Sequence, residues 1–437
     1  MEPKKKMTTK TKGFKWKQLS PKAWDYVYNS DAFINLAVGS IRSSKTITSL
    51  LRFTHHMLSM DETPYAMAGN TLQSLRRNCI EPLTLMLDDL RIPCDVYMGK
   101  QEMVVDDCSI ALFGLDKEGT DKKIKGYTSA GTYLDEITTM SESAFEMLIS
   151  RNSLPGAKIF CTCNPVGPLH YVYQKYILKG LDPTYFKVWK FRLEDNLTLS
   201  KSYIDSLKAL YPPDSVFYKR NILGEWVSGQ GLIFDKFNED NILRGSINLD
   251  DYDYFEVGSD YGTSTTTCYV LVGIRYDYSA VDGETILYDV IAEYGYDATK
   301  EASTQTDAER VDDIVNLQDT YGLNEDSIFD CSHDAESLKA ALEKDNRVRM
   351  IIKTFMPDTL ECIQTISSLF YQNSIRVHES CTELINQIYG YEWDMKAAAK
   401  GEDKPVKRDD HYIDAMRAPI MNNLPGKDEI LGDFLYV

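Results

Sequence analysis

The stretch Gly39-Ser40-Ile41-Arg42-Ser43-Ser44-Lys45-Thr46 follows the short apolar run Phe33–Val38 and precedes a helical pattern. A strand, a glycine turn and a Lys-Thr pair opening a helix leave few folds open. The stretch fits G-x(4)-G-K-[ST], with Ser44 where the second glycine should stand. In such a loop the backbone N–H groups turn toward phosphates. Lys45 would reach the β- and γ-phosphates and Thr46 would bind Mg²⁺. Gly39, Ser40, Ser43 and Ser44 would form the cradle. A glycine relieves strain in such a loop, so Ser44 weakens the match.

Further short apolar runs, Tyr65–Gly69, Ser109–Gly114, Gly131–Asp135 and Ala157–Cys163, alternate with helical patterns. That alternation predicts a mostly parallel α/β sheet over residues 31–226. Gly131-Thr-Tyr-Leu-Asp135-Glu136 is a strand ending in two acids. Asp135 is placed to hold Mg²⁺ and Glu136 to polarise the attacking water. An acidic turn before a helix would read the same way in isolation; its position after the phosphate loop favours the site. Arg42, inside the loop, is a candidate for stabilising charge on a transferred phosphoryl group, or else a solvated loop arginine.

Residues 227–252 are rich in Gly, Asn and Asp, have no strong period, and read as a connection. Beyond them, Phe255–Ser259, Thr266–Ile274 and Glu284–Glu293 read as three consecutive strands. A helix at about 299–321 and a strand at Ser327–Asp330 follow. Residues 396–408 are lysine-rich and read as a mobile loop. Asp260 and Asp330 end apolar runs, and Asp414 lies in the helical Asp410-His411-Tyr-Ile-Asp414. A lone carboxylate there would be costly to bury. Three converging acids could hold two Mg²⁺ or Mn²⁺ ions for phosphodiester hydrolysis. His411 shares a helix face with Asp414 and could ligate metal or move a proton; Asp410 competes for the role of Asp414. With 66 acidic residues in the chain, spacing alone does not select these acids.

At 437 residues the chain is long enough for two cores. No apolar run approaches the ~20 residues of a membrane span. Met1–Lys17 lacks a secretory apolar segment, and residues 1–30 read as a basic arm of a cytosolic protein. The nine cysteines make no paired CxxC motif and read as reduced thiols. Charge is uneven: residues 253–437 carry 16 Lys+Arg against 36 Asp+Glu, while the remainder is near neutral. Such an acidic half repels phosphate unless metal ions, local basic patches or a partner intervene.

Together these residues resemble the large terminase subunit of tailed phages and prophages, from about Phe33 to Arg417. The resemblance implies an N-terminal P-loop ATPase of RecA/ASCE type, then an RNase H-like nuclease at 253–437. Gly39–Thr46 is similar to the family's P-loop, and Asp135-Glu136 to its Walker B pair. Cys161-Thr162-Cys163-Asn164-Pro165 is similar to its coupling motif, in which Thr162 and Asn164 would sense the γ-phosphate. Ser259-Asp260, Phe329-Asp330 and Asp410-His411-x-x-Asp414-Ala-x-Arg417 resemble its acidic motifs. The family often carries its loop arginine one position earlier, where this chain has Ile41.

The resemblance further implies ATP with Mg²⁺, and a pair of Mg²⁺ or Mn²⁺ ions for cutting. It implies double-stranded DNA, a portal protein and a small terminase subunit as partners, and a ring of five subunits. The place of action would be the host cytoplasm, at the procapsid portal vertex and outside the mature virion. Two rivals would use the same folds: an RNase H-like recombinase or resolvase with a vestigial nucleotide site, and a capsid-associated protein that lost both activities.

Overall fold

The computed structural model describes residues 18–60, 63–115, 124–262, 265–277, 285–298, 300–301, 303–332, 334–354 and 358–424. The lysine-rich Met1–Lys17 and the apolar tail end lie outside them. The described chain forms two compact units. One holds residues up to Lys208 with Val216–Ser228, and the other holds Ala209–Ser215 with the chain from Gly229 onward.

The first unit is built on eight strands: β1 Ile34–Gly39, β2 Tyr65–Gly69, β3 Cys94–Tyr97, β4 Glu102–Val105, β5 Cys108–Gly114, β6 Gly131–Leu134, β7 Lys158–Cys163 and β8 Phe186–Phe191. Their order is β3-β4-β5-β2-β6-β7-β1-β8, parallel except for the β3-β4-β5 meander. β1 is flanked by β7 and β8. Its residues alternate between two cores: Ala37 packs with Phe53, Phe160 and Trp189, whereas Leu36 and Val38 pack with Phe145, Ile159 and Cys163. Burial on both faces explains why β1 reads as a continuous apolar run. A P-loop strand separated by one strand from the strand carrying the acid pair is the P-loop NTPase arrangement of RecA/ASCE type. Residues 21–29, within the stretch read as a basic arm, instead form a helix. Ser20 caps it, and it buries Ala23, Tyr26 and Val27, the first two in this unit's core.

The second unit has seven strands: β9 Ile242–Leu243, β10 Tyr254–Asp260, β11 Thr266–Asp277, β12 Thr285–Asp297, β13 Ile328–Cys331, β14 Ile351–Thr354 and β15 Ile375–His378. β10, β11 and β12 form an antiparallel meander. β13 and then β14 add in parallel beside β10, giving β14-β13-β10-β11-β12-β15-β9. This is the RNase H-like sheet. Residues 229–252, read as a connection, cluster with this unit, where β9 forms the sheet edge on β15. The stretch 396–408 is tied down: Met395–Ala398 is helical, Trp393 bridges Pro405, and Val406 N–H donates to the Glu392 carbonyl.

One face of β10 buries Val257 with Phe329 and Leu271. The other is covered by the helix His411–Asn422. At Gly258 an added Cβ would lie 1.9 Å from the Ala415 carbonyl oxygen, so only glycine lets the helix backbone rest there. His411 reaches Asp260, and Asn422 reaches Glu256, so the helix runs antiparallel to β10.

Candidate active sites in two units

β1 ends at Gly39, whose added Cβ would meet the Phe191 carbonyl at 1.8 Å, and the helix Lys45–Leu58 starts shortly after it. Between them the loop is held from outside. Ser40 N–H donates to Phe191 O (3.2 Å), Ile41 N–H to Asn221 O (2.9 Å), and Asn196 Nδ2 to Arg42 O (2.7 Å). Ser43 Oγ closes the loop on Ser40 O at 2.8 Å. Arg42 and Ser44 both adopt left-handed backbone, with φ of 55° and 64°. Non-glycine residues in that region cost about 1 kcal/mol or more, and the external anchors hold them there.

Lys45 is buried. Its Nζ donates to Asn164 Oδ1 at 2.7 Å and to Ser40 O at 3.0 Å. Burial lowers its pKa, with Glu136 and Asp135 opposing the shift. Asp135, just past β6, is fixed by its own N–H to Ala68 O and accepts from Thr162 Oγ1 at 3.0 Å. Glu136 has φ 50°; its N–H donates to Thr162 Oγ1 at 3.2 Å. Its two carboxylate oxygens accept from Asn164, one from the backbone N–H and one from Nδ2, both at 3.0 Å. Burial raises the pKa of both acids, and Lys45 opposes it.

Gly39, Ser40, Ser43, Ser44, Lys45, Thr46, Arg42, Asp135, Glu136, Thr162 and Asn164 are thus brought together. The loop and the acid pair line a cleft of about 660 Å³ that is also lined by Gln73, Arg76, Arg77, Asn78 and Asn196. The sequence pattern assigns none of those last five to the site. Arg76–Asn78 reach the cleft from a five-residue π-helix, Arg76–Ile80, which carries no sequence signature. Local π-helical windings are frequent at functional sites.

In the second unit the sequence-read acids differ in their partners. Asp260 Oδ2 lies 2.7 Å from His411 Nδ1, and that bond raises the pKa of His411. Asp414 pairs with Arg417 at 2.5 Å and with Lys407 at 3.2 Å, and Asp410 pairs with Lys407 at 3.3 Å. Asp410 opens the helix without capping it, which leaves its carboxylate free to face Lys407. Burial raises the pKa of Asp414; Arg417 and Lys407 oppose the shift and Asp410 adds to it.

Asp330 has another partner. β13 places it beside Gly258, and its oxygens accept from Asn422 Nδ2 at 3.2 and 3.1 Å. Asn422 also donates to Glu256 Oε1 at 2.6 Å. Glu256 is fully buried, and burial followed by the Asp330 carboxyl pushes its pKa up to about 9. Among the described residues no three His, Cys, Asp or Glu side chains are arranged to hold a metal ion. No motif in the sequence singles out Glu256. Its only signal is a carboxylate inside an apolar strand.

Comparisons with known proteins agree with this architecture. The family described as "Terminase large subunit, T4likevirus-type, N-terminal" matches residues 36–240. The large terminase subunit of Escherichia phage T5 is 27% identical over 220 residues, 48% of this chain and 46% of that one, so the match spans about half the relative's length. The large terminase of a thermophilic bacteriophage superposes with a TM-score of 0.81 at 31% identity, covering 93% of this chain and 99% of that one. The same phage protein in complex with ADP matches with a TM-score of 0.80 at 30% identity, covering 92% and 98%. A P-loop sheet followed by an RNase H-like sheet, shared with that thermophilic phage's large terminase over nearly its whole length, places this chain in the terminase large-subunit family.

Proposed function

We propose that this protein hydrolyses ATP to drive double-stranded DNA into a procapsid and cuts concatemeric DNA with a metal-dependent nuclease site. The observation that carries the reading is the bridge from Lys45 through Asn164 to Glu136, beside Asp135 and Thr162, at the mouth of the phosphate loop. The thermophilic phage relative is described in complexes with ADP and with ATP-γ-S.

The residues fit Mg-nucleotide. Thr46 lies in the first turn of the helix, Asp135 faces the same cleft, and Ser40 Oγ is buried with no hydrogen-bond partner among the described residues. Mg²⁺ bound there would neutralise charge on the β- and γ-phosphates. Lys45 leaves Asn164 for the γ-phosphate, and this loosens the hold of Asn164 on Glu136. Glu136 then takes the proton of the attacking water as its oxygen bonds phosphorus and the ADP oxygen departs. Thr162 and Asn164 feel the loss of phosphate, and Arg42 steadies the transferring charge.

In the second unit the donors are hard oxygens suited to Mg²⁺ or Mn²⁺. Asp410 Oδ2 and Asp414 Oδ1 are buried, and each faces a cation but accepts no well-aligned hydrogen bond. Asp260, Asp410, Asp414 and, after release from Asn422, Asp330 would hold the ions. Two such ions would stabilise the attacking and leaving oxygens of a phosphodiester. His411, oriented by Asp260, would ligate or carry a proton. A portal protein, a small terminase subunit and a ring of five subunits complete the reading. The ring would supply the grip on DNA that the acidic second half lacks.

DNA-stimulated ATP turnover and plasmid cleavage with Mn²⁺ test it together. Lys45→Ala should abolish turnover and leave cleavage, while Asp260→Asn should do the reverse. Wild-type protein that neither turns over ATP nor cuts plasmid would refute the proposal.

A further inference from the structure

A cation shared by the two helix acids near His411 is supplied by the chain itself. Lys407 Nζ sits between Asp410 and Asp414, 3.3 Å from the one and 3.2 Å from the other. Its side chain is 66% exposed. The chain just before it is pinned by the Trp393–Pro405 bridge and by Val406 N–H on Glu392 O. Two residues after it, Asp409 has φ 51°. The ammonium therefore hangs on a free four-carbon stem from a fixed root.

Asp414 has a second cation, Arg417, of a different kind. Arg417 is buried and donates to Tyr391 Oη at 2.6 Å, so it is part of the packed helix. Lys407 is tied to nothing but the two carboxylates among the described residues. It can swing to solvent on its own stem, which leaves two largely buried carboxylates with one cation fewer.

We propose that Lys407 is a built-in counter-ion of the nuclease site: its ammonium holds the place between Asp410 and Asp414 that a divalent cation takes, and the two exclude each other. This rests on the metal-site reading above and adds its regulation. While Lys407 is seated, the acids are neutralised and the site stays unassembled. When metal enters, the ammonium is expelled toward solvent, where phosphate is its natural partner.

Titration calorimetry of Mn²⁺ into the full-length, nucleotide-free protein at low salt tests the exclusion. The heat to follow is the part lost in Asp414→Asn. Lys407→Ala should bind Mn²⁺ roughly fivefold tighter, the order expected for removing one partly solvated charge at this distance. Lys407→Arg should stay near wild type. The metal-free Lys407→Ala protein should melt somewhat lower at neutral pH, since two largely buried carboxylates lose a counter-ion. Unchanged or weaker Mn²⁺ binding in Lys407→Ala, with the Asp414-dependent heat present, overturns the proposal and leaves the metal reading standing. If neither wild type nor Lys407→Ala shows Asp414-dependent heat, both fall.

Discussion

Asn164 grips Glu136 twice, giving its backbone N–H to one carboxylate oxygen and its side-chain N–H to the other, each at 3.0 Å. The same side chain accepts from Lys45 through its oxygen. One amide therefore links Lys45 to Glu136, the groups we propose to reach phosphate and to handle water. Replacing Asn164 with Ala should lower kcat for ATP about a hundredfold, the scale of a misplaced general base. The KM for ATP should change much less. Steady-state hydrolysis with and without DNA decides it; a rise in KM alone would mean Asn164 only binds nucleotide.

Ser44 carries a left-handed backbone where a glycine is at home. Ser44→Gly should stabilise the protein by about 0.5–1 kcal/mol, read as a higher melting temperature, and keep ATP turnover within about twofold. Ser44→Val should do the opposite, because β-branched residues tolerate that conformation worst.

His56 is packed against Tyr65 and Phe160, with Nε2 3.3 Å from Ala130 O. Burial lowers its pKa to about 4. The folded state thus binds fewer protons than the unfolded state between about pH 4 and the ordinary 6.5. Its contribution is fully present above pH 6.5 and shrinks as pH falls toward 4, by a few kcal/mol in all. Urea melts across that range should slope more gently in His56→Gln. An unchanged slope would assign the acid sensitivity to other groups.

Gly258→Ala puts a methyl group against the Ala415 carbonyl. Overpacking of this kind costs about 1–3 kcal/mol. Cleavage should fall while ADP binding to the first unit persists, measurable by plasmid nicking beside nucleotide titration. Cleavage at wild-type level would show that the helix can stand off from β10.

Several of these features were legible in the sequence because they follow from local pattern. The phosphate loop, the acid pair after β6 and the three-strand run β10–β12 all announce themselves by apolar runs ending in glycine or carboxylates. β8 did not, since Phe186-Lys-Val-Trp-Lys-Phe191 interrupts its apolar positions with lysines, and no glycine or motif marks it. β3 and β4 are four residues each and only partly buried. The grouping of the acids was illegible for another reason. Whether Asp330 turns toward Asp260 or Glu256 depends on the register Gly258–Asp330 and on an asparagine arriving from 92 residues away. Neither is a property of the strand that carries Asp330.

The helix His411–Asn422 spans about 16 Å between the residue that meets Asp260 and the one that meets Asp330. Its backbone lies on bare glycine, so it has no side-chain cushion to roll on. A helix seated this way carries both partners on one element. Any push on it, lengthwise by even one residue's rise, displaces the partners of both acids at once. If Asp260 and Asp330 are the metal ligands proposed above, the groups that hold them are linked through this one helix.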